Sequence, residues 1–306
     1  MYIGRFAPTP SGGLHLGSIM IAIASFLDAR LNKGLWHLKI DDLDRFRTKQ
    51  KHIDQIKAQL NELNLSWDNE IIYQSRRVER YEYFLNQLKK TKKTYICSCS
   101  RKKILEESES GIDGLIYPGF CSGMNYKNEE NNSIRIAVND EPVILKDGLQ
   151  GEYKQNINNE IGDFVIKRSD NIFSYQLAVV IDDHIDRTSH IIRGSDLLES
   201  TPRQIYIQRI LGFKKINYTH LPTLNFQGRK LSKSNGDNYL IETQPKNIWL
   251  SVLKLLNQKL PARNSSLNSI IEFAIKNWDI KRIKQRRFIE IDDYIRTSEY
   301  LQHSQQ

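Results

Sequence analysis

Arg5-Phe6-Ala7-Pro8-Thr9-Pro10-Ser11-Gly12-Gly13-Leu14-His15-Leu16-Gly17-Ser18 is the stretch on which the fold turns. Residues 1–6 read as a short strand, and residues 7–13, with two prolines and two glycines, as a tight loop. The apolar-rich run from Ser18 to Leu31 reads as a buried helix, stopped by Asn32-Lys33-Gly34. Strand, Gly-rich turn and helix start together aim free backbone N–H groups and the positive helix end at one place, which suits a phosphate. His15 stands where it can hydrogen-bond that phosphate, and Gly17 leaves room for a flat ring near the backbone. Alone, a Gly-rich turn says little, and a single histidine is more often structural.

Outward from this turn, Leu35–Ile40 alternates as a strand and runs into Asp41-Asp42-Leu43-Asp44. Ile53, Ile56, Leu60 and Leu63 recur at helical spacing, as do Tyr81, Phe84, Leu85 and Leu88. Strand, helix, strand, helix in this order predicts an α/β fold with a parallel sheet and crossover helices. Residues 97–121 break the rhythm with polar residues, glycines and all three cysteines. Strand-like runs resume at Ile134–Val138, Phe164–Lys167, Leu177–Ile181 and Ser189–Arg193, and 200–211 reads as a helix. Gln227–Asp237 reads as a polar, basic loop. From Pro245 the positions Ile248, Leu253, Leu256 and Leu260 suggest a helical tail.

The chain has 306 residues, 39% apolar and 26% charged, as in soluble globular proteins, and carries a formal net charge of +9. That charge fits a polyanionic partner such as RNA, although a merely Lys-rich protein would show it too. No run of about 18 apolar residues occurs to span a membrane, and Met1-Tyr2-Ile3-Gly4-Arg5 lacks the pattern of a signal peptide. Three cysteines cannot all pair within one chain, and Cys97 and Cys99 lie too close for an easy disulfide. Free thiols in a reducing cytoplasm, available to a soft metal such as zinc, are the expectation. Zinc wants four ligands, so one must be something other than cysteine.

A second motif lies far downstream: Arg229-Lys230-Leu231-Ser232-Lys233-Ser234-Asn235-Gly236. Lysines at i and i+3 with interleaved serines can grip a departing pyrophosphate; standing alone, the segment would read as a solvated basic turn. Together, His15-Leu16-Gly17-Ser18 and Lys230-Leu231-Ser232-Lys233-Ser234 resemble the paired HIGH and KMSKS signatures of class I aminoacyl-tRNA synthetases, in the same order and settings. The resemblance sharpens to the glutamyl group. RFAPTPSG (5–12) is similar to that group's opening, and Lys39-Ile40-Asp41-Asp42-Leu43-Asp44 to its R-I-E-D-x-D. Phe173–His184 and Ile192–Leu198 look like its substrate-pocket strands. The match runs from residue 1 to about 240.

This resemblance implies a Rossmann-like catalytic domain over 1–240, with a zinc-binding insertion at about 95–125 and a small helical region over 241–306. Glutamate would be bound by Arg5, Phe6, Ala7, Pro8, Thr9, Asp41, Tyr175 and Arg193. Two arginines, an acid and a hydroxyl balance two carboxylates and one ammonium; which arginine takes which carboxylate is open. ATP, with Mg²⁺, would be held by His15, Gly17 and Lys233, with Ser18 and Lys230 joining the catalytic set. Position 41 is Glu in the family and Asp here, so its contact with the ammonium would run through a backbone shift or a water.

Cys97-Ser98-Cys99 and Tyr117-Pro118-Gly119-Phe120-Cys121 resemble the zinc insertion of the short glutamyl-type paralogues. The resemblance makes Tyr117 the fourth ligand of one zinc per chain; otherwise it is a packing aromatic. Only residues 235–306 follow the second motif, too few for the anticodon-binding region of full-length glutamyl enzymes. With that length, the resemblance to the short glutamyl-type paralogues implies an enzyme that activates glutamate without tRNA and joins it to queuosine in the anticodon stem-loop of tRNA(Asp). A truncated synthetase charging the acceptor end, a non-catalytic RNA-binding paralogue and a small-molecule ligase of the same superfold are the alternatives.

Overall fold

The computed structural model describes residues 1–44, 46, 48–124, 126, 128–226, 228–230 and 244–291. Strand β1 (Ile3–Phe6) is buried throughout, as a strand covered on both faces must be. Helix α1 (Leu16–Leu31) returns the chain to β2 (Leu35–Ile40), which pairs with β1 in parallel, Arg5 opposite His37. His15 caps α1: its backbone is extended, and Nδ1 accepts the Ser18 N–H at 3.3 Å. The other end closes at the expected Asn32-Lys33-Gly34 stop, where Lys33 turns left-handed (φ 51°) and Gly34 N–H donates to Ala29 O at 2.8 Å. Eleven of the sixteen α1 residues are buried, so this helix is a core rod rather than an amphipathic surface element.

Helix α2 (Gln50–Glu62) buries Ile53, Ile56 and Leu60, and β3 (Ile72–Tyr73) extends the sheet in parallel beside β2. Helix α3 (Val78–Lys90) buries Tyr81, Leu85 and Leu88. The interruption that follows holds β4 (Thr94–Cys97), α4 (Arg101–Glu107), the hairpin β5 (Ser110–Gly111) and β6 (Gly114–Leu115), and β7 (Ser133–Ile136). The hairpin β8 (Val143–Asp147) and β9 (Gly151–Gln155) leads through α5 (Ile157–Glu160) to β10 (Phe164–Lys167), and β4, β7 and β10 form an antiparallel sheet.

The chain then re-enters the parallel layer. Helix α6 (Tyr175–Ile185) leads to β11 (His190–Gly194), and α7 (Thr201–Ile210) leads on to β12 (Asn217–Leu221), which pairs in parallel with β11. The β11 strand lies against β1, where Ser189 N–H donates to Ile3 O at 2.9 Å. Beyond it come β13 (Thr223–Phe226), β14 (Arg229–Lys230), α8 (Pro245–Leu255), α9 (Leu267–Asn277) and β15 (Phe288–Glu290). Trp36 and Trp249, both fully buried, anchor the large core that α1, α8 and α9 share.

Three sequence expectations change. Leu177–Ile181 is helical, not a strand: Ser174 caps α6 by accepting the Leu177 N–H, and a run buried on all sides has no period to betray it. The end of the chain is not purely helical, because β15 pairs in parallel with β13, Leu224 opposite Ile289. Lys230 belongs to a two-residue strand paired with β13 rather than to the loop. Among the described residues, no helix is long and apolar enough to cross a membrane.

Candidate active site and thiolate cluster

A cavity of about 460 Å³ opens where the loop after β1, the start of α1 and the ends of β11 and β13 converge. Arg5, Phe6, Ala7, Pro8, Thr9, His15, Gly17, Ser18, Tyr175 and Arg193 all line it. Asp41 is reached through Thr9, whose hydroxyl donates to Asp41 Oδ2 at 3.2 Å, while Asp41 N–H donates to Pro8 O at 3.1 Å. Those two bonds hold the Pro8–Thr9 corner against the end of β2. Burial is the main influence on the Asp41 carboxyl and lifts its pKa to about 6; Asp42 adds to the rise, and Thr9 opposes it. An ammonium placed nearby would return that group to its ionised form.

His15 Nε2 lies 3.0 Å from Ser18 Oγ, so the imidazole is held from two sides by one residue of its own helix. Gly17 makes this possible, since a Cβ there would sit 3.1 Å from the ring. Leu231, Ser232, Lys233 and Ser234 lie outside the described residues, as does the side chain of Lys230.

The two arginines differ in their surroundings. Arg5 is 5% exposed and donates Nε–H and Nη2–H to Asp183, both at 3.1 Å. Asp183 also takes the ammonium of the fully buried Lys39 at 2.9 Å, and Lys39 reaches Asp186 at 3.2 Å. Arg77 joins Asp182 at 3.0 Å and Asp186 at 2.7 Å, so three cations meet three carboxylates. Burial opposes ionisation of Asp183, yet Arg5 and Lys39 outweigh it and hold the carboxyl well below its usual range. Arg193, 3% exposed, instead donates to His220 Nε2 (2.9 Å), Thr201 Oγ1 (2.7 Å) and Gln204 Oε1 (2.8 Å).

A second cluster lies in the interruption. Cys97, Cys99 and Cys121 bring their sulfurs within 4.8 Å of one another, and Cys99 and Cys121 are 3.4 Å apart. Tyr117 Oη stands 3.2 Å from Cys97 Sγ and 3.4 Å from Cys99 Sγ. Ligands of a tetrahedral zinc lie about 3.8 Å apart when bonded through sulfur, so the four donors are close to that arrangement. Burial works against a Cys97 thiolate, but Tyr117 and the Arg135 guanidinium, stacked 3.6 Å over the Tyr117 ring, bring its pKa down to about 7. Gly162 sets the tyrosine in place: it bridges to Tyr117 in a left-handed conformation (φ 74°), and a Cβ there would overlap the Tyr117 backbone.

The family model described as tRNA synthetases class I (E and Q), catalytic domain, matches residues 3–248. The chain belongs to this family. A class I tRNA synthetase is a ligase of the aminoacyl-tRNA synthetase type, and its ATP substrate comes with Mg²⁺. The glutamyl-Q tRNA(Asp) synthetase of Pseudomonas fluorescens is 41% identical over 281 residues, covering 91% of this chain and 92% of its own. That of Neisseria meningitidis is 39% identical over 287 residues, covering 92% and 97%. Among solved structures, the glutamate-tRNA synthetase of Elizabethkingia anophelis superposes with a TM-score of 0.79 over 96% of this chain and 68% of its own. At 22% identity that likeness shows the fold.

In this class I tRNA synthetase the residues that fix the two arginines went unread in the sequence. Lys39 had a signal, as a charge between Leu38 and Ile40 in a strand, whereas Asp183 stands in the polar stretch Asp182-Asp183-His184 and had none. His220, Asp147, Thr201 and Gln204 had none, because only the fold brings them to Arg193.

Proposed function

We propose that the protein activates L-glutamate with ATP as glutamyl adenylate, without requiring tRNA, and passes the glutamate to the queuosine base in the anticodon of tRNA(Asp). The observation that carries the reading is the convergence of two buried arginines, Tyr175 and Thr9 on one cavity at the start of α1, with Asp41 hydrogen-bonded behind Thr9. Two guanidinium groups suit two carboxylates, and the carboxylate of Asp41 suits the ammonium. The α1 N-terminus beside the same cavity suits the phosphates of ATP. The names borne by relatives that match over nine-tenths of their length support the acceptor, and the net charge of +9 suits an RNA.

His15, Gly17, Ser18, Lys230 and Lys233 are assigned to ATP and its departing pyrophosphate. Cys97, Cys99, Cys121 and Tyr117 are assigned to one zinc ion, which would tie α4 and the β5–β6 hairpin to the rest of the chain. The test has two arms. Pyrophosphate exchange over a panel of amino acids without tRNA should select glutamate; selection of another amino acid would remove the pocket assignment. Labelled glutamate should then join tRNA(Asp) that carries queuosine and not tRNA(Asp) that lacks it. Charging of the acceptor end instead would make the protein a conventional glutamyl enzyme.

A further inference from the structure

Arg193 and His220 stand opposite one another in the β11–β12 pair, so their side chains share one face of the sheet. His220 has no solvent exposure. Its Nδ1 lies 2.6 Å from Asp147 Oδ2, at the end of β8, and its backbone N–H donates to Asp147 Oδ1 at 3.1 Å. The same Oδ1 takes the N–H groups of Leu149 (3.0 Å) and Gln150 (2.8 Å), which lock the carboxylate in place. A carboxylate can only accept, so Nδ1 carries the proton, and Nε2 keeps the lone pair that receives Arg193 Nε–H.

The result is an arginine whose hydrogen-bond partners are all neutral acceptors, with the Tyr218 ring 4.9 Å from its guanidinium. Among the described residues no carboxylate pairs with Arg193, whereas Arg5 shares Asp183 with Lys39. Arg193 Nη1 is buried with no hydrogen-bond partner, on a side chain that lines the active cavity. A buried, unsatisfied, uncompensated guanidinium edge is costly unless something negative completes it.

We propose that His220, held as its neutral Nδ1–H tautomer by Asp147, is a positioning residue that aims the free edge of Arg193 at a carboxylate of the amino-acid substrate. A carboxylate at position 220 would hold Arg193 as firmly but would cancel its charge; an imidazole holds it and leaves the charge for the ligand. Protonated, His220 would lose its bond to Arg193 and set a second positive charge beside it. Burial and Arg193 both oppose that protonation, while Asp147 and Asp196 favour it and the Tyr218 ring stacks alongside.

The proposal rests on the amino-acid-activating reading above, and the experiment separates the two. KM for amino acid and for ATP are measured by pyrophosphate exchange in the parent, His220→Ala and His220→Gln, whose amide oxygen can replace the Nε2 acceptor. His220→Ala should raise KM for glutamate tenfold or more, the worth of about one hydrogen bond to a charged group, and leave KM for ATP within about twofold. His220→Gln should recover most of the loss. Ring-nitrogen NMR of the unaltered protein, assigned by the signal missing from His220→Gln, should show the Nδ1–H tautomer between about pH 8 and pH 5. An Nε2–H tautomer, or glutamate and ATP constants rising together, would overturn the role of His220. If the parent activates a different amino acid, the glutamate reading falls, and the same split measured with that amino acid still decides for or against His220.

Discussion

Asp183→Asn takes one negative charge out of a site where three cations and three carboxylates balance. The amide keeps the shape and one acceptor, so packing is preserved while the cluster is left with a net positive charge. Asp183 and Lys39 are almost fully buried, and water cannot replace the lost charge. Removing one partner of such a pair typically costs 3–5 kcal/mol; with Lys39 still reaching Asp186, about 3 kcal/mol is expected. For a chain of this size that is a fall of roughly 5 °C in Tm. The sign with pH follows from the depressed carboxyl: its contribution is full above the ordinary aspartate range and disappears as pH falls below it. The gap between parent and variant should therefore be widest near neutrality and shrink below about pH 4. Denaturant unfolding of parent, Asp183→Asn and Asp170→Asn would measure it, since the exposed Arg168–Asp170 pair should be worth no more than about 1 kcal/mol. Equal midpoints for all three proteins would refute the account of Arg5 as an arginine held by a buried counter-charge.

Asp41→Asn should raise KM for glutamate, and in the parent the same KM should climb as pH drops through about 6, where Asp41 takes up a proton; a flat profile with an unaltered variant would free residue 41 from the substrate. Cys99→Ser should lose the bound zinc, and Gly162→Ala should weaken it by displacing Tyr117; metal analysis finding no zinc in the parent, or a full complement in both variants, would count against the four-ligand cluster. Lys233→Ala should slow adenylate formation by roughly a hundredfold with little effect on glutamate binding, and exchange at the parental rate would reduce its loop to a basic turn.

What the sequence revealed depended on whether the determining residues were neighbours. The β1–α1 turn was legible because its prolines and glycines lie within a few residues of each other, and the structure puts the boundary of α1 two residues from the expected one. The α6 run Leu-Ala-Val-Val-Ile was misread because β-branched residues favour strands, and full burial erased the helical period that would have corrected it. Arg193 was marked by the resemblance of Ile192–Leu198 to the family's pocket strands, but nothing marked the Asp147–His220 pair behind it. Those residues are drawn from a hairpin and a strand far apart in the chain, in two different sheets, and only the packing of β8 against β12 unites them.

One consequence of the late strand concerns the order in which the protein can mature during synthesis. Thr223 and Leu224 form part of the cavity wall, and β15 pairs with that same strand. Asp28 in α1 is bonded by Tyr2 and by Trp278, the second of them 250 residues further along the chain. Emerging from the ribosome, α1 therefore spends most of translation without the helices that cover it, its apolar surface open to water. Contacts of such long range form late and leave a growing chain exposed to aggregation. The loop between β1 and α1 is thus made long before the segment that supports the far wall of the cavity, and a chain halted before Phe288 would leave that wall without its neighbouring strand.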